Sequence, residues 1–147
     1  MKKLPNNIAS LVIILISILT MFLFSRTLAY LVLVEESLPK FLFLDLNGFR
    51  LHHFVYGNIL ITITSFLAIG LGIQKHKKLF ALFYGIGLGM VLDEFLLWVG
   101  DINQLQNDVL WIPYSITAVA IVTFLIASII MFRLYKLHKI KVFGRKR

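Results

Sequence analysis

Four long apolar runs constrain this chain more than any other feature of its sequence. They extend from about Ile8 to Val34, Leu51 to Ile73, Leu79 to Val99 and Leu110 to Phe132. Each has the ~20-residue length at which a helix crosses the ~30 Å hydrocarbon core of a bilayer. Strict alternation of apolar and polar residues is absent, which removes a transmembrane β-barrel. With 59% hydrophobic residues, a mean hydropathy of +0.88 and only 15% charged residues, the chain lacks the polar exterior of a soluble domain. The expected fold class is all-α: a transmembrane antiparallel four-helix bundle forming one integral membrane domain over residues 1–147. Lys2 and Lys3 ahead of the first run give it a signal-peptide look. That run is longer than a secretory apolar region and no small-residue cleavage site follows, so a retained helix is expected. There is no cysteine, which excludes disulfides and thiolate metal sites.

Charge placement predicts the orientation. Lys75, Lys77 and Lys78 crowd the link between the second and third runs, and the tail 133–147 carries Arg133, Lys136, Lys139, Lys141, Arg145, Lys146 and Arg147. The segment "GDINQLQNDV" between the third and fourth runs has neither Lys nor Arg. The positive-inside rule then puts both termini and the middle link in the cytoplasm and the link at about 35–50 outside. The net charge of +8 becomes a topology signal and a contact for anionic headgroups at the cytoplasmic face. No basic groove or aromatic-interleaved patch remains for nucleic acid.

All seven acids, Glu35, Glu36, Asp45, Asp93, Glu94, Asp101 and Asp108, fall on the outer side or in the outer half. At 1.5 Å per residue, Asp93 lies roughly 21 Å up its helix from Leu79, His53 roughly 30 Å up from Ile73, and Arg26 roughly 27 Å up from Ile8. Polar groups on three helices are therefore predicted near one level. Gly85, Gly89 and Asp93 recur every four residues and share a helix face. Small residues at this spacing let helices approach closely in lipid. The expectation is that this stripe faces the His53, Gly57, Thr64 and Ala68 stripe of the second helix. Glu94 is rotated by about 100°, in line with Gly87, Trp98 and Asp101. "GIGLG" lacks the preceding strand of a nucleotide-binding loop and reads as a packing signal. Trp98, Trp111 and Tyr114 read as an interfacial aromatic belt.

Two chemistries fit this outer cluster. Arg26 offers a planar fork that suits a carboxylate or phosphate, so it is expected to pair with Glu94 or to hold an anion. Buried pairs of that kind can fix helix register without any reaction. Alternatively, His nitrogens and carboxylate oxygens are the ligand set of zinc, manganese or non-haem iron. His53, Asp93 and Glu94 are then the metal ligands, with His52 as an alternate. Glu35, Glu36 and Asp101 are candidates for added ligands or for orienting those ligands, and Tyr56, Phe95 and Trp98 for limiting water. Adjacent His-His and Asp-Glu pairs are not a metalloprotease motif, so spacing alone does not choose between the two.

"LHHFVYG" followed by "GIGLGMVLDEFLLW" resembles a group of small bacterial integral membrane proteins sharing a His-His pair and a Gly-rich Leu-Asp-Glu-Phe segment. The likeness covers about a third of the chain, and "FLFLDLNGFR", with Asp45, Gly48 and Arg50, also looks like that group. The resemblance implies a reusable polar site in a multi-pass protein of the cell membrane and specifies no reaction.

Three functions follow as expectations. The first is an outward-opening His/carboxylate site that binds a divalent metal and a lipid headgroup or small anion. The second is an accessory or scaffold subunit whose polar cluster is structural, joined to copies of itself or to a membrane partner. The third is an oligomeric proton or cation carrier. Between Gly57 and Lys75 the second helix offers only Thr62, Thr64 and Ser65 as hydroxyl groups, which argues against a pore through one chain. Whether the protein is an enzyme stays open at this level.

Overall fold

A computed structural model describes residues 5–33, 45–46, 49–50, 53–73, 75–94 and 112–143. It is helical apart from one small ladder. Helix α1 spans Asn6–Leu33, α2 spans His53–Ser65, α3 spans Lys77–Asp93 and α4 spans Ile112–Phe143. Strands β1 (Asp45–Leu46) and β2 (Phe49–Arg50) pair antiparallel, with Asp45 opposite Arg50 and Leu46 opposite Phe49. The sequence reading treats 35–50 as a plain link and does not anticipate this ladder.

Among the described residues, Asn6–Leu28, His53–Gly70 and Ser115–Lys139 are long and apolar enough to cross a membrane. Helix α3 has 17 described residues, and residues 95–99 of the expected third span lie outside the described residues. Large apolar side chains cover the exterior, with Ile69 82%, Phe124 71% and Met131 67% exposed. That inversion of a soluble surface suits lipid as the outer solvent.

Two boundaries differ from the sequence reading for local reasons. Helix α4 continues past Phe132 to Phe143, through much of the expected basic tail. Lys, Arg, Leu and Ile all sustain a helix, and no Gly or Pro intervenes before Gly144. Pro113 sits in the first turn of α4, where its missing N–H costs no helical bond. Helix α2 does not run evenly to Ile73. A π-helical turn at Phe66–Gly70 follows it, with the Leu71 N–H donating to the Phe66 carbonyl. The chain then reverses through Gly72 at φ +62°, a backbone region that Gly enters at no steric cost.

Helix α3 is the centre of the packing, touching α1 and α2 extensively and α4 less so. Its alternating glycines serve two neighbours. A Cβ on Gly85 would lie 2.6 Å from the Ser17 Cβ, and one on Gly89 would lie 2.9 Å from the Ile18 carbonyl, so these two face α1. A Cβ on Gly87 would lie 2.8 Å from the Gly57 carbonyl, so this glycine faces α2. The expected facing of Gly85 and Gly89 onto the α2 stripe is thus corrected: helix spacing identifies residues sharing a face, while the neighbour depends on how α3 is rotated between two helices. Ile18, Phe22, Leu92 and Val119 form the buried apolar core between α1, α3 and α4.

Candidate functional site

The relative directions of the helices follow from who meets whom. Gly85 and Gly89 advance along α3 as Ile14 and Ile18 advance along α1, so α1 and α3 run the same way. His53 at the start of α2 and Ser115 near the start of α4 both reach Asp93 at the end of α3. Those two helices therefore run oppositely to α3. The late part of α1, the start of α2, the end of α3 and the start of α4 come together at one end.

Asp93 is the hub. It is 0% exposed, and both carboxylate oxygens are engaged. Arg26 Nε donates to Oδ1, and His53 Nε2 lies 2.7 Å from Oδ2. The Asp93 main-chain carbonyl, at the C-terminus of α3, accepts from Arg26 Nη2 and from the Ser115 hydroxyl at 2.6 Å. A helix end leaves its last carbonyls without helical partners and carries partial negative charge. A guanidinium and a buried hydroxyl satisfy both needs here. Arg26 also lies 5.8 Å from the centre of the Phe22 ring, within cation–π range.

Glu94 complements this at the neighbouring helix. Its Oε2 accepts the Phe54 N–H at 3.0 Å, so a carboxylate from the residue just after α3 caps the first turn of α2, where negative charge is favoured. Its Oε1 lies 3.4 Å from His53 Nδ1. Both ring nitrogens of His53 thus face carboxylate oxygens, one from Asp93 and one from Glu94. Among the described residues, no buried side-chain nitrogen or oxygen is left without a partner.

Measured against expectation, Arg26, His53, Asp93 and Glu94 meet. The expected partner of Arg26 was Glu94; the recorded ion pair is instead to Asp93. The two acids are adjacent and differ by one helical step, and Asp93 is the one on the Gly85–Gly89 face toward α1. Tyr56 is 39% exposed rather than buried in the cluster; it lies one residue, about 100°, before Gly57, the α2 residue that packs against α3. His52, Glu35, Glu36, Phe95, Trp98 and Asp101 lie outside the described residues. Ser115, also 0% exposed, is the member that sequence reasoning missed. A lone Ser at the head of an apolar span was its only signal.

Among the described residues no group of three His, Cys, Asp or Glu side chains is arranged to hold a metal ion. A cation at this cluster would compete with Arg26 and His53 for the oxygens that they now engage. No protein-family model, curated protein or solved structure matches the chain.

Proposed function

We propose that this chain is a multi-pass protein of the cell membrane, an antiparallel four-helix bundle with both termini in the cytoplasm. We further propose that it works as an accessory or scaffold subunit whose outer cluster is an internal latch. The observation that carries the reading is the engagement of Asp93. One fully buried carboxylate and its carbonyl bind groups from α1, α2 and α4. Such a hub fixes the relative level and rotation of the helices, the best-attested use of buried ion pairs. The charge asymmetry of the links supports the orientation, and the apolar exterior supports the membrane setting.

The divalent-metal site with a headgroup or small anion, and the proton or cation carrier, rank below the latch. Both need carboxylate oxygens released from the Arg26 and His53 donors. Complementation of a deletion strain separates these readings. Arg26→Met with Asp93→Leu replaces the pair by apolar side chains of comparable length, a change that buried pairs often tolerate. A scaffold keeps its role in this variant as long as the protein reaches the membrane folded. A folded, correctly inserted variant that fails to complement contradicts the latch and favours chemistry at the site.

A further inference from the structure

At the opposite end from the cluster, α1 and α2 both pack on α3 but have little contact with each other. Between them, over α3, lies a groove of about 550 Å³, within the usual range for ligand sites. Leu11, Ile14, Ile69 and Phe80 give it apolar walls, while Lys77 of α3 and Arg133 of α4 supply cations at its rim. A smaller hollow of about 330 Å³ adjoins it, sharing Ser10 and Lys77 and bringing in Lys75, His76 and Lys78.

Two observations make this more than a gap between helices. The first is charge. The seven acids occupy positions 35, 36, 45, 93, 94, 101 and 108, so the described segments 5–33, 53–73, 75–92 and 112–143 carry no acidic side chain. Among the described residues, a ligand placed here meets positive charge that no acidic side chain neutralises. The second is the π-helical turn at Phe66–Gly70, whose Ala68 and Ile69, with the preceding Ser65, line the groove. Interruptions of this kind recur at functional sites because the widened turn re-aims side chains. Here the turn shapes the wall opposite α1.

We propose that this groove is a binding site for one anionic phospholipid, its acyl chain against Leu11, Ile14 and Phe80 and its phosphate between Lys77 and Arg133. An apolar trough under a basic rim matches that amphiphile, and basic pockets between membrane helices on the cytoplasmic side hold such headgroups. The leaflet assignment rests on the topology proposed above. Binding itself does not, and is read in micelles, so the two fail separately.

The test is native mass spectrometry of the full chain in detergent micelles containing equal amounts of phosphatidylglycerol and phosphatidylcholine. The expected result is a one-to-one adduct with phosphatidylglycerol and little phosphatidylcholine. Lys77→Gln with Arg133→Gln should lower the affinity for phosphatidylglycerol by about twenty-five-fold, two contacts at roughly fivefold each. Lys136→Gln with Lys139→Gln removes the same charge from α4 outside the groove and should leave occupancy unchanged. Ala68→Phe fills the groove at constant charge and should also displace the lipid, which keeps the test sound if the charge variant unfolds. Equal retention of both lipids, equal loss in the control pair, full occupancy in Ala68→Phe, or equal binding of soluble glycerol phosphate would each overturn the proposal.

Discussion

Gly87→Ala puts the central position of α3 to a test whose sign is informative. In an exposed helix interior, Ala in place of Gly stabilises by about 0.8–1.0 kcal/mol. At Gly87 the added Cβ would lie 2.8 Å from the Gly57 carbonyl and 3.0 Å from Ile61 Cγ1, where ordinary contact begins near 3.4 Å. Helix α2 must therefore retreat by roughly half an ångström, and overpacking of this kind typically costs about 1–3 kcal/mol. The propensity gain offsets part of that cost, leaving a net loss of about 0–2 kcal/mol. The retreat has a second consequence, because α2 carries both His53 and the Phe54 amide. A His53–Asp93 contact of 2.7 Å lengthened by that amount reaches the limit of a good hydrogen bond, about 3.2 Å. Equilibrium unfolding in mixed micelles, followed by helical circular dichroism, measures the change. A Gly87→Ala protein more stable than wild type would refute the close α2–α3 approach, and with it the placement of His53 against Asp93.

Other expectations follow from the same geometry. Ser115→Ala removes one of two donors to the Asp93 carbonyl and should cost about 0.5–1.5 kcal/mol in the same unfolding assay; a cost above that range would mean Arg26 is not sharing the carbonyl. Glu94→Leu removes the acceptor of the Phe54 N–H, and should destabilise by about 1–3 kcal/mol as that donor loses its partner. Glu94→Gln, which keeps an amide oxygen there, should recover much of the loss. Single cysteines at Asn47 and Asn103 should react with an impermeant reagent added outside the cell, and one at Lys77 should not; the reverse pattern refutes the orientation. A strong chelator should leave the unfolding midpoint unchanged, whereas a downward shift reversed by zinc or manganese would favour the metal reading.

The parts of this architecture that were legible in the sequence are those set by length and hydropathy. The apolar runs that form α1, α2 and α4 follow from the cost of charge in hydrocarbon, which acts on each segment by itself. Counting residues along the runs also brought Arg26, His53 and Asp93 to one level, since the helical rise is fixed. Choices between helices were less legible. Whether Gly85 or Gly87 meets α2 depends on the rotation of α3, and whether Arg26 takes Asp93 or Glu94 depends on a single helical step. The π-helical turn at Phe66–Gly70 leaves no pattern in an apolar stretch, because every residue there suits lipid in either form. Ser115 stayed hidden for a related reason: Ser is common in membrane helices, and its importance comes from a carbonyl on another helix.

The central claim is that Arg26 and Asp93 act as one unit that latches the helices together, and a double-mutant cycle measures this directly. Arg26→Met alone takes from the buried Asp93 carboxylate the guanidinium that it meets, and Asp93→Leu alone removes the Oδ1 acceptor of the Arg26 Nε. Each should cost about 3–5 kcal/mol of unfolding free energy in micelles. The double variant removes both charges and should cost far less than the two singles together, giving a coupling energy of about 2 kcal/mol or more. Single changes whose costs simply add would show that the two residues act independently, and would contradict the latch.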